Sequence, residues 1–110
     1  MEKPRIRYYN NSSNNAGYGY FDDHSYTINI NEYYFNNGKT PGLEMLDTMA
    51  HEYRHCWQLK FATGAIKESY SNYISYNSKL GNYDQYRYQP CEADAFDYAE
   101  IWTTILKGLI

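Results

Sequence analysis

Alternating apolar and polar positions predict short strands in the first third of the chain. The alternation is clearest at residues 26–31, where three apolar side chains interleave with three polar ones: Tyr26, Ile28, Ile30 and Thr27, Asn29, Asn31. A period of two is typical of a strand with one buried face and one wet face. Similar runs at residues 5–9 and 17–21 predict two more strands, and the turn-forming residues 22–25 predict a hairpin between the second and third strands.

Helical spacing replaces this alternation in the rest of the chain. Thr40 and Pro41 predict the start of a first helix, as its N-cap and first helical residue. We expect this helix to run to about Lys60, before a break at Gly64, and a last helix to begin near Pro90. Strands early and helices late predict an α+β domain. The expected architecture is a small antiparallel sheet of about three strands packed against these two helices.

The segment between the two helices, residues 65–89, is ambiguous. Ile66, Tyr70 and Tyr73 have helical spacing, whereas residues 77–82 have the composition of a loop. We find no linker and no repeat. The 110 residues therefore predict one domain, 1–110.

Composition and charge exclude several classes of protein. With 15 Tyr and no Val, tyrosine rings must supply much of the buried area. A net charge of -3 with scattered Lys and Arg argues against nucleic-acid binding. No apolar run approaches the roughly 20 residues that span a bilayer, and the N-terminus lacks the apolar region of a signal peptide. We therefore expect a cytoplasmic protein without a membrane partner, whose two cysteines are reduced thiols.

Residues 51–55 read His-Glu-Tyr-Arg-His, an HExxH motif within the first predicted helix. Residues four apart lie on one face of a helix, so His51 and His55 can bind one zinc ion while Glu52 reaches a water on that ion. With 3 His and 7 Glu in 110 residues, chance alone gives about 0.005 such matches. The motif therefore predicts a Zn²⁺ site.

The helical wheel places the motif away from the apolar side of its helix. His51 and His55 lie nearly opposite an apolar stripe, which consists of Leu46, Met49, Ala50, Tyr53, Cys56 and Trp57. We interpret the stripe as the core side and the polar side as the lining of a cleft.

A catalytic zinc usually has three protein ligands, so a third ligand must come from elsewhere in the chain. The continuation HExxHxxGxxH is absent, because Gln58 and Phe61 occupy the glycine and third-histidine positions. In the last helix, Glu92 falls within the apolar arc, where a carboxylate demands a metal or a partner. We predict Glu92 as the third ligand, with Asp94, at the other edge of the arc, as the alternative.

Three segments together resemble the compact gluzincin-type zinc metallopeptidases, which include the minigluzincins and the ImmA/IrrE-like proteins. The segments are the HExxH at 51–55, the hairpin ending at residues 26–31, and the Pro-Cys-Glu-Ala-Asp-Ala run at 90–95. The resemblance implies a zincin-like fold, His51, His55 and Glu92 as zinc ligands, and Glu52 as the general base. It also implies a substrate-binding edge strand within residues 26–31, made of Thr27, Ile28, Asn29 and Ile30.

The function that follows from this resemblance is zinc-dependent hydrolysis of a peptide bond in a peptide or protein substrate. A donor to the developing oxyanion is also expected. The segment before the last helix contains four residues that could supply it, Tyr83, Tyr86, Arg87 and Tyr88, although a chain with 15 Tyr favours packing as the role of each. Two alternatives stay open. One is a catalytically silent or self-inhibited zinc-binding interaction module, and the other is a metal-free interaction domain.

Overall fold

The computed structural model describes residues 2–13, 17–35 and 41–109. It contains three strands, β1 (Arg5–Tyr9), β2 (Gly19–Asp22) and β3 (Thr27–Asn31), followed by a 3-10 turn at Glu32–Tyr34. Four helices follow: α1 (Pro41–Phe61), α2 (Gly64–Ser69), α3 (Tyr83–Tyr88) and α4 (Pro90–Leu109). The predicted α+β class is confirmed, as are the positions of the two long helices. The predicted N-cap, Thr40, lies outside the described residues.

The sheet is mixed, so the predicted antiparallel sheet is wrong for one of its strands. The strand order is β1-β3-β2. β2 and β3 form the predicted antiparallel hairpin, whereas β1 pairs with β3 in parallel, with Ile6 opposite Ile28. Alternation in the sequence indicates which side chains share a face but not which strands are neighbours. The parallel neighbour of β1 could therefore not be predicted from it.

β3 is buried along its whole length, including the face that the alternation predicted to be wet. Asn29 and Asn31 are 3% and 0% exposed. Asn29 accepts a hydrogen bond from Arg7 Nε, and Asn31 bonds both the N–H and the C=O of Asn11. β1 and the segment that follows it therefore cover the polar face of β3 and satisfy its amides.

The opposite face of β3 forms the hydrophobic core with α1. Ile28 and Ile30 are buried there with Phe35, and Phe21, Met45 and Met49 pack against them. Each of the two side chains from β3 is at most 2% exposed. This packing fixes the orientation of α1 relative to the sheet.

The side of α1 that carries the two histidines is buried, whereas its apolar stripe is buried only in part. Leu46 of the stripe is 43% exposed and Cys56 is 1% exposed, whereas His51 and His55 are each 8% exposed. The reason is that α4 packs along this side of α1, where its small residues Ala95 and Ala99 are buried. The polar side of α1 thus faces α4 and the sheet, and lines the predicted cleft only in part.

The ambiguous segment folds into two short helices joined by irregular chain. Gly64 begins α2 with a φ of +61°, a left-handed conformation that glycine adopts without strain. The helix predicted from the spacing of Ile66, Tyr70 and Tyr73 is present but shorter than that spacing suggests, because α2 ends at Ser69. Within the described ranges, none of the helices combines the length and the apolar character needed to cross a membrane.

Candidate metal centre

His51, His55 and Glu92 converge on one point between α1 and α4. Nε2 of His51 lies 2.9 Å from Oε1 of Glu92, Nε2 of His55 lies 3.1 Å from the same oxygen, and the two Nε2 atoms are 3.1 Å apart. All three residues are buried. Among the described residues, this is the group that could hold a metal ion. The three predicted ligands, which are up to 41 positions apart in the sequence, thus lie together in the structure.

The helix geometry explains the convergence. His51 and His55 lie one turn apart on α1 and therefore share a face. Glu92 is in the first turn of α4, where it is 3% exposed. Burial alone would raise the pKa of Glu92, but the hydrogen bonds from His51 and His55 hold that pKa well below its usual value. Glu92 is therefore an ionised carboxylate, the form that binds a metal ion.

Glu52 lies beside the three candidate ligands and accepts a hydrogen bond from the backbone N–H of Phe21 in β2. It lines a cleft of about 330 Å³ together with His55 and Glu92. Burial raises the pKa of the Glu52 carboxyl, and the nearby charges of His55 and His51 offset this only in part. The motif glutamate thus lies between the sheet and the candidate ligands, with a pKa above its usual value.

Tyrosine hydroxyls surround Glu92 and His55 in the same cleft. Tyr73 donates a 2.6 Å hydrogen bond to Oε2 of Glu92, and the Tyr86 hydroxyl is 3.4 Å from Oε1. Tyr70 places its hydroxyl 2.9 Å from Nδ1 of His55. Tyr86 is therefore the member of the predicted donor group that reaches the centre. Tyr70 and Tyr73 are not among the site residues predicted from the sequence, because in a chain with 15 Tyr no pattern distinguishes them.

Asp94, the alternative third ligand, points to a different set of partners. Its carboxylate accepts hydrogen bonds from Arg54 Nε at 2.7 Å and from Gln58 Nε2 at 2.8 Å. Burial alone would raise the pKa of Asp94, but the hydrogen bonds from Arg54 and Gln58 lower it. Asp94 stands outside the three-residue group that could hold a metal. The choice between the two carboxylates therefore falls on Glu92.

The predicted substrate-binding edge strand, Thr27 to Ile30, is wrong because β3 is the central strand. Both of its edges are already hydrogen-bonded, one to β1 and the other to β2. The strand that borders the cleft is β2, which contributes Gly19, Tyr20 and Phe21 to its lining. The alternation at residues 26–31 therefore marks the two faces of a buried central strand and not an exposed edge strand.

The two cysteines have separate partners. Both are buried free thiols. Cys56 hydrogen-bonds the Tyr26 side chain, and Cys91 hydrogen-bonds the Ser69 side chain.

Comparison with known proteins finds no matching family model, no matching curated protein and no matching solved structure. A functional interpretation therefore depends on the geometry and chemistry of the centre.

Proposed function

We propose that this protein is a zinc-dependent metallopeptidase of the gluzincin type. The observation that carries the proposal is the contact of two histidine Nε2 atoms and one carboxylate oxygen, 2.9 to 3.1 Å apart, beside a fourth residue, Glu52, with a perturbed pKa. Catalytic sites are where such perturbed acids cluster.

The donor set and its spacing support zinc as the ion. Two imidazoles and one glutamate are a known ligand set of catalytic zinc, with a water in the fourth position. Ligand atoms at 2.0 to 2.1 Å from a tetrahedral zinc lie about 3.3 Å from one another. The three atoms here need to move apart by only a few tenths of an ångström. When bound, zinc would supply Lewis acidity and lower the pKa of its water toward 7.

Glu52 is suited to act as the general base. Its raised pKa brings the carboxyl nearer to neutral pH, where a base that must also release its proton works best. The hydrogen bond from the Phe21 N–H holds one side of the carboxylate in place. In the proposed reaction Glu52 accepts a proton from the attacking water and delivers it to the leaving amine.

The outer edge of β2 is suited to bind an extended peptide. Tyr18 C=O accepts a hydrogen bond from Asn31 N–H, so the alternating antiparallel pattern turns the backbone groups of Gly19 and Phe21 away from β3. The Phe21 N–H donates to Glu52, which leaves the Phe21 C=O and both backbone groups of Gly19 for a substrate. Within the described part of the sheet, no strand pairs with that edge. We propose that the substrate adds to β2 as a further strand, in the manner of β-augmentation.

The test combines metal analysis with proteolysis. Purified protein should contain one zinc per chain and cleave members of a broad peptide library, detected by mass spectrometry. Glu52→Gln should retain zinc and lose cleavage, whereas Glu100→Gln, an exposed change on α4, should retain both. Cleavage by the Glu52→Gln variant would refute the assigned mechanism.

The burial of the centre favours a second candidate, a zinc-binding interaction module without activity. Structural zinc sites are closed, whereas catalytic ones keep an open position. His51, His55 and Glu52 are only 8%, 8% and 9% exposed, and Glu92 is 3% exposed. Stoichiometric zinc without cleavage of any peptide would favour this module. Absence of stoichiometric zinc would leave the metal-free interaction domain.

A further inference from the structure

Gln58 is held in one orientation by two acceptors on α4. Its Nε2 atom donates to the backbone C=O of Cys91 at 2.9 Å and to Oδ2 of Asp94 at 2.8 Å. Gln58 itself is 2% exposed. Both partners only accept hydrogen bonds, so the NH₂ end of the amide must face α4. The other end of the amide, Oε1, consequently faces His55.

Arg54 holds the carboxylate that orients Gln58. Its Nε and a terminal nitrogen donate to the two oxygens of Asp94, at 2.7 and 3.3 Å. The guanidinium also lies over the ring of Trp57, 4.0 Å from its centroid, and 5.1 Å from the centroid of Tyr98. A bidentate ion pair stacked on aromatic rings has a fixed geometry. Asp94 therefore presents an acceptor to Gln58 and not a donor.

The orientation of Gln58 determines which nitrogen of His55 carries a hydrogen. Oε1 of Gln58 is 3.0 Å from Nδ1 of His55, and the Tyr70 hydroxyl donates to the same oxygen. An amide oxygen can only accept, so Nδ1 must be the donor. Because the ring hydrogen can stay on Nδ1, the lone pair of Nε2, the atom that faces His51 and Glu92, is available to a bound metal.

We propose that Arg54, Asp94 and Gln58 are positioning residues that fix His55 as its Nδ1–H tautomer and so present Nε2 to the metal. The proposal rests on the metal centre of the proposed function but not on peptidase activity. Partners that orient ligating histidines typically contribute 10- to 100-fold to metal affinity. In this protein the partner of His55 is the amide of Gln58, which Asp94 and Arg54 hold in turn.

Gln58→Met tests the relay, because it removes the oxygen that accepts the Nδ1 hydrogen and leaves a side chain of similar size. Without that acceptor, His55 is no longer held with Nε2 toward the metal. We expect a zinc affinity roughly 10- to 100-fold lower in competition with a chelator. Gln85→Met, an exposed change on α3, is the matched control and should bind zinc as the wild type does.

The second measurement reads the tautomer directly. Long-range ¹H–¹⁵N NMR of the zinc-bound wild type should show His55 protonated at Nδ1, and the Nδ1 hydrogen should exchange with solvent faster in Gln58→Met. A wild-type ring protonated at Nε2 would overturn the proposal without any variant. So would unchanged Nδ1 exchange and zinc affinity in a folded Gln58→Met protein. A wild type that binds zinc but cleaves nothing would refute only the proposed function.

Discussion

The hydroxyl of Tyr73 donates a 2.6 Å hydrogen bond to Oε2 of Glu92, while Oε1 of the same carboxylate faces the two histidines. Tyr73 thus holds Oε2 in place, and Oε1 is the oxygen of Glu92 that can bind a metal ion at the centre. The segment between α2 and α3, which has no regular structure, therefore orients the ligand contributed by α4.

Tyr73→Phe should weaken metal binding without unfolding the protein. The change removes the hydroxyl that holds Oε2, and the loss of such a partner typically lowers metal affinity about 10-fold or more. Chelator competition measures the effect. Tyr76→Phe, in the same segment with a ring that is 51% exposed, is the control and should leave zinc affinity unchanged. Equal affinities of the two variants would show that the Tyr73 hydroxyl does not support Glu92.

Removal of the metal should destabilise the whole domain, because the centre joins α1 to α4. An ion that binds only the folded state stabilises it by about 4 kcal/mol when its free concentration is about 1,000 times its Kd. Thermal unfolding with zinc and with excess chelator measures the difference. His51→Ala should abolish that difference, whereas His24→Ala, whose side chain is 95% exposed, should retain it. A transition temperature independent of zinc would contradict a bound metal.

Gly19→Ala should destabilise the fold, because β2 passes too close to its neighbours for a side chain. A Cβ at this position would lie 2.5 Å from the backbone oxygen of Asn29 and 3.0 Å from Cγ2 of Thr48. Overpacking of this kind costs about 1 to 3 kcal/mol. Denaturant unfolding measures the loss, with Gly17→Ala as the control, since nothing lies within 4 Å of a Cβ there. Equal stability of the two variants would mean that β2 can move freely away from β3.

Glu52→Gln should stabilise the metal-free protein relative to the wild type increasingly as pH rises above about 4.5, the ordinary pKa of glutamate. Burial raises the folded-state pKa of Glu52, so the folded protein retains a proton that the unfolded chain has released. Stability contributed by that proton is complete below the unfolded pKa and is lost as pH rises through the folded value. Glutamine does not titrate. Unfolding free energies of both proteins between pH 5 and 8 test this, and a difference that is constant with pH would contradict it.

The three candidate ligands could be predicted from the sequence because each depends on local spacing. His51 and His55 follow from the helical period, and Glu92 from an acidic residue within an apolar arc. Their burial against α4 could not be predicted, since the helical wheel of α1 alone assigned the apolar stripe to the core. A polar face that finds complete hydrogen-bond partners can be buried as well as an apolar one.

The surroundings of the centre depend on tertiary contacts that carry no local signal. Asp94 is held by Arg54, which lies 40 residues earlier in the sequence. This ion pair, and not the position of Asp94 on the helical wheel of α4, explains why Asp94 does not join the candidate ligands. The central position of β3 depends likewise on β1, which returns to pair beside it. An alternating strand has the same sequence pattern at the centre of a sheet as at its edge, so the edge strand was assigned to the wrong half of the hairpin.

The parallel pairing of β1 with β3 also constrains the order of assembly. The β2–β3 hairpin is local and can form first, whereas β1 must wait until the later strand exists before it can dock. During that interval one side of β3 has unpaired N–H and C=O groups, which are a template for strands of other chains. Strands of other chains would therefore compete with β1 for that side of β3 until β1 has docked.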